Sequence, residues 1–159
     1  MSSDKTTAEP RQTYLLQALY GRATVRRTAG DYQSSMIDLD RISDCCHEIL
    51  SLSKNSIYLR SRIDYAHLLS LTAGHHAKAR KIITGLIARH AGKIEMEDLA
   101  YALHTLVIIQ MQDAKNDRAL RSHRKALSLY RKIHDQDGIG SALGAMGVIY
   151  QQKGQSGTA

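Results

Sequence analysis

The chain has 159 residues, 43% of them hydrophobic and 23% charged, which suits one globular domain and excludes a chain too polar to bury a core. Its formal net charge of +7 permits acidic partners or nucleic acid without selecting either. No run nears the ~18 apolar residues of a membrane span, Met1 to Pro10 hold no apolar export segment, and the two cysteines, Cys45 and Cys46, are adjacent. A reducing, cytoplasmic setting is therefore expected.

Residues 1–11, which carry the single proline, Pro10, read as a flexible leader. Beyond them, apolar residues recur at helical spacing and no period-two alternation is sustained. Gly30-Asp31, Lys54-Asn55-Ser56, Gly74, Gly92, Asn116-Asp117 and Asp135 to Gly138 punctuate the pattern. The expected helices are 12–29, 32–51, 56–73, 76–91, 96–114, 117–133 and 138–153, an all-α chain. The fourth carries a stripe of Ala79, Ile82, Ile83, Leu86 and Ile87, and the fifth Leu99, Leu103, Leu106 and Val107. The sixth carries Ala119, His123, Ala126, Leu127 and Tyr130, and the seventh Ile139, Leu143, Met146 and Tyr150. Asp31, Ser56, Asp117 and Asp137 are expected as N-cap or first-turn residues.

The chain also repeats itself. An offset of forty matches Leu99 with Ile139, Leu103 with Leu143, Leu106 with Met146, Ala114 with Gly154 and Ala119 with Ala159. Forty residues earlier stand Ile63, Ala66, His67, Gly74 and Ala79, and a further forty-four back stand Leu19, Arg22, Ala23, Gly30 and Ser35. These positions resemble the tetratricopeptide repeat, a helix-turn-helix unit with small residues where its two helices approach, although the spacing exceeds that family's ~34 residues. Ser35, Ala79, Ala119 and Ala159 supply the small residue that opens each second helix. The aromatic expected in the first helix is instead Arg26, Ser70 and Gln110 before Tyr150 restores it.

The resemblance implies a right-handed αα superhelix with units of about 12–51, 56–91 and 96–133 and an incomplete 138–159. It implies a non-catalytic protein-interaction scaffold, as in regulatory and signalling proteins, binding a peptide or helix in a concave groove. By register, the groove takes Gln17, Tyr20, Thr24 and Arg27 from the first unit, and Ser61, Asp64, Leu68 and Leu71 from the second. The third adds Tyr101, His104, Ile108 and Met111, and the fourth Ser141, Gly144, Val148 and Gln151. Leu68, Leu71 and Ile108 fit an inter-repeat core equally well. The unpaired last helix would leave Leu143, Met146, Val148 or Tyr150 partly uncovered, for a partner or a second copy joined through 138–153.

Other patterns point less far. Arg118, Arg121, Arg124 and Lys125 crowd one helix, and Lys78, Arg80 and Lys81 its counterpart one unit earlier, an alternative site for nucleic acid but without interleaved aromatics for base stacking. Cys45, Cys46 and His47 with His75 and His76 do not make a zinc set, because neighbours on a helix diverge by ~100° and cannot converge on a tetrahedral ion. None of the eight histidines falls in a nucleophile motif, so neither catalysis nor a cofactor is expected.

Overall fold

The computed structural model describes residues 5–48, 56–90, 92, 94–113 and 115–156. Among these there are seven helices and no strand: α1 (Lys5–Thr28), α2 (Tyr32–Glu48), α3 (Ser56–Ser70), α4 (His76–His90), α5 (Met96–Gln112), α6 (Asn116–Lys132) and α7 (Gln136–Ser156). The chain is all-α. Helix α1 begins at Lys5, ahead of position 12, and runs through Pro10 near its start, where the missing N–H removes one bond, to the Thr6 carbonyl. Residues 49–55, Ala114 and Ala159 lie outside the described residues.

The turns follow from a shared way of ending a helix. After α1 the Asp31 N–H bonds the Arg26 carbonyl at 2.9 Å, with Gly30 at φ +83°. After α6 the Asp135 N–H bonds the Tyr130 carbonyl at 3.0 Å, with His134 at φ +57°. After α5 the Lys115 N–H closes the same six-residue loop on the Gln110 carbonyl at 2.8 Å. Each closure satisfies a carbonyl that the helix leaves free and reverses the chain within three residues.

Caps set the next helix. The Ser34 N–H donates to Asp31 Oδ1 at 3.1 Å, so Asp31 opens α2 as expected. At α7 the cap is Asp135, which accepts from the Gly138 N–H at 2.9 Å, and Asp137 sits in the first turn. Gly138 is required by packing, since a Cβ there would lie 2.6 Å from Asp135 Oδ2 and collide with the Tyr130 ring.

The chain divides into two compact units, residues 1–68 and 69–159. In the first, α1 packs on α2 where two small residues meet: Ser35 Oγ donates to the Ala23 carbonyl at 2.8 Å, and both residues are buried. Ala79 and Ala119, the matching positions of α4 and α6, are also fully buried. Small side chains thus are buried at all three described positions, and at Ala119 and Ser35 they lie where α5 packs on α6 and α1 on α2, so that a larger one would push the helices apart.

The same interface encloses a charge that periodicity did not reveal. Asp38 is 0% exposed and accepts Arg22 Nε at 2.9 Å, Arg22 Nη2 at 2.6 Å and Arg26 Nη1 at 2.7 Å. These bonds, Arg22's first, hold its carboxyl below the usual range despite burial. In the second unit α6 lies between α5 and α7 over two apolar clusters. Leu103, Ala126, Leu127, Tyr130 and Ala142 belong to one, and Val107, Ala119, Leu120 and Ile149 to the other.

Candidate functional site

The expected groove positions fare differently from helix to helix. On α1, Gln17 is exposed, whereas Tyr20, Thr24 and Arg27 are half-buried. The Tyr20 hydroxyl donates to Asp64 Oδ2 at 2.8 Å and Arg27 Nη1 to Asp64 Oδ1 at 3.2 Å. Asp64, Ser61 and Leu68 are buried; Asp64 ties α1 to α3 from within, whereas Ser61 Oγ donates to the Tyr58 carbonyl of its own helix at 2.8 Å. Burial, and then the Asp64 charge, raise the Tyr20 pKa well above its ordinary value. Leu71 is exposed just past the end of α3.

On α5 all four positions, Tyr101, His104, Ile108 and Met111, are half-buried. Met111 packs on the Val107, Ala119, Leu120 and Ile149 cluster. His104 meets His123 of α6 edge to face, with ring centroids 6.2 Å apart. His123 is fully buried and neither ring nitrogen has a hydrogen-bond partner. Burial, then the neighbouring His104, depress its pKa to about 4, and burial also lowers that of His104. An imidazole so placed stays neutral at pH 7.

Helix α7 contrasts with both. Ser141, Gly144, Val148 and Gln151 are all exposed. Leu143 is 48% and Tyr150 49% exposed on one flank and Val148 46% on the other, while Ala142 and Ile149 between the flanks are fully buried. Met146, expected in the same uncovered set, is half-buried against both apolar clusters.

The basic row on α6 splits in two. Arg124 Nη2 donates to the Tyr150 hydroxyl at 3.2 Å, on the α7 side. Arg118, Arg121 and Lys125 instead edge an open cleft of about 380 Å³ between α4, α5 and α6, together with Thr84, Ile87, Ala88, Leu103, Leu106, Gln110 and Ser122. That volume lies at the low end of the range for small-molecule sites. Lys78 and Lys81 do not line it, and Arg80 is bound to Asp113 at 2.5 Å.

The electrostatics of the cleft are one-sided. Asp113 is held by Arg80 and by Lys115 at 3.3 Å, and Asp117, beside Arg118, by Lys153 at 2.6 Å. Among the described residues no carboxylate lines the cleft, and Arg118, Arg121 and Lys125 make no ion pair, although the Asp117 charge, one turn away, acts on Arg121. Gln110 Oε1 is buried in its wall without a hydrogen-bond partner. The row of cations is readable in the sequence, but the cleft is not, because α4 and α5 supply its other walls.

Cys46 is buried, which pushes its thiol up to about 11, and Cys45 is half-buried. Among the described residues no three His, Cys, Asp or Glu side chains converge as a metal-binding group. No family model, no curated protein and no solved structure matches the chain.

Proposed function

We propose that this chain is a non-catalytic protein-interaction module, a right-handed superhelix of tetratricopeptide-like hairpins that holds a peptide or helix of a partner protein. The observation that carries this reading is α7. It anchors Ala142 and Ile149 in the core and leaves Leu143, Val148 and Tyr150 about half exposed, on a helix whose expected groove positions are all open. Leu143 and Tyr150, seven residues apart, share one flank of the helix and Val148 lies on the other, and exposed aliphatic and aromatic side chains are the usual anchors of protein partners. The buried small residues at 35, 79 and 119 support the repeat register behind the reading. Nucleic acid is the weaker use of the basic row, whose floor is aliphatic and offers no aromatic stacking platform.

A photo-crosslinking residue placed at Val148 tests this directly, with exposed Ser128 on α6 as the control position. The expected result is one saturable adduct from Val148, absent from Ser128 and lost on Leu143→Glu with helicity unchanged. An adduct of twice the chain mass would replace the partner with a second copy. No saturable adduct from Val148 would overturn the proposal.

A further inference from the structure

We propose that the cleft between α4, α5 and α6 binds a small amphiphilic carboxylate, its head beside Arg118 and Arg121 and its alkyl body along Leu106, Leu103 and Ile87. The site shares no lining residue with α7, so loss of the Val148 adduct leaves it untouched, although the match between the two hairpins rests on the repeat register of that reading.

The first hairpin shows what the second lacks. In the repeat register, Arg22, Arg26 and Asp38 correspond, eighty-four positions on, to Leu106, Gln110 and Ser122. The first three fill the α1–α2 interface with a buried carboxylate held by two guanidinium groups. The second three are shorter or uncharged, and all line the open cleft. There α6 supplies the cations from its own side, Arg118, Arg121 and Lys125, while the carboxylate is missing. Three unpaired cations above an aliphatic floor match an anion joined to an apolar body.

The hairpin gives the cleft a direction. The reversal at 113–115 sets Gln110 at the same end as Arg118, whereas Leu103 clusters with Ala126 and Leu127, next to Lys125. The Arg80–Asp113 pair brings the start of α4 to the turn end, so Thr84 lies nearer that end than Ile87 and Ala88. The polar end is therefore Thr84, Gln110, Arg118 and Arg121. The unpartnered Gln110 Oε1 there calls for an O–H or N–H donor next to the head group, since an unmatched buried acceptor is costly.

Calorimetry on the full chain, using decanoate, β-hydroxydecanoate, decanol, inorganic phosphate and phosphatidylglycerol vesicles, tests the proposal. Decanoate is expected to bind one to one, with decanol and phosphate at least about tenfold weaker and β-hydroxydecanoate several-fold tighter. Arg118→Gln and Arg121→Gln each weaken decanoate about tenfold, and Lys125→Gln by less than about threefold. Ser122→Asp, which gives the cleft its own carboxylate, abolishes binding. If that buried change prevents folding, Ala88→Trp at an exposed lining position decides instead, by filling the cleft. Equal binding of decanol, binding that survives Ala88→Trp, or binding of phosphate or vesicles without a one-to-one decanoate complex would overturn the proposal.

Discussion

The α1–α2 and α5–α6 hairpins share a backbone plan and differ in what fills it. Both reverse through the same six-residue hydrogen-bonded closure, and both bury a small residue, Ser35 or Ala119, at the corresponding place on the second helix. Inside the first hairpin stands Asp38 with Arg22 and Arg26. Inside the second stand a neutral His104–His123 pair and, beside it, a cleft lined by cations and by no carboxylate. The two hairpins thus agree in where their helices approach, through small residues and turns, and differ in the polar content of the interface.

The largest effect expected from this difference is at Asp38. Asp38→Ala leaves two guanidinium groups facing each other at an interface, and removing one partner of a buried pair costs several kcal/mol. Because Arg22 and Arg26 side chains keep 48% and 35% of their exposure, the expected loss is at the low end, about 3 kcal/mol by urea unfolding. Ser122→Ala, at the matching position, should cost less than about 1 kcal/mol. Equal losses at the two sites would break the comparison.

Acid should separate the hairpins next. His123 has a folded pKa near 4 against about 6.5 unfolded. As pH falls below 6.5 the unfolded chain takes up a proton that the folded chain refuses, so stability declines until about pH 4, by at most about 3 kcal/mol. Asp38 acts in a lower window. Its depressed pKa contributes stability that is present above the unfolded carboxylate value and is lost only as pH falls through the folded one. Urea midpoints between pH 7 and 4 should therefore drop for the wild type and drop less for His123→Leu, in which the lowered pKa of His104 still acts. Parallel curves would remove the buried imidazole from the description of the second hairpin.

The smallest effect concerns the turns. Gly30 after α1 and His134 after α6 hold the same left-handed position, at φ +83° and +57°. A side chain with a Cβ is strained there by about 1 kcal/mol, which only glycine avoids. Gly30→Ala should destabilise by about 1 kcal/mol, while His134→Gly should stabilise by about 0.5–1 kcal/mol and raise the thermal midpoint by a few degrees. Changes of the same sign would show that the two closures are not equivalent.

Much of this was legible from residue spacing, and the limits have physical causes. Gly30 and Gly74 were readable as turns because left-handed backbone selects glycine, and Ser35, Ala79 and Ala119 were readable as contact points because repeat register aligned them. His134 gave a far weaker signal, since histidine only modestly favours positive φ where glycine adopts it freely. The partnership of Arg22 and Arg26 with Asp38 gave no signal in the sequence, because it spans a hairpin and no helical period links the carboxylate to the two arginines. Of the groove positions, those on α7 are open, but Asp64 and Leu68 are buried. Repeat register assigns a helix face and not whether a neighbouring helix covers it. The α6 cations were visible as a row, whereas their cleft requires side chains from three helices.

That one register is filled in two ways can be tested most directly by moving the first filling into the second hairpin. In the triple variant Leu106→Arg, Gln110→Arg and Ser122→Asp, the quantity to measure is the pKa of the introduced carboxylate, by NMR titration. It should fall below the ordinary carboxylate value of about 3.9, as it does at Asp38, in a chain that remains folded at pH 7. A carboxylate titrating at or above that value, or a chain that no longer folds, would contradict the equivalence of the two hairpins.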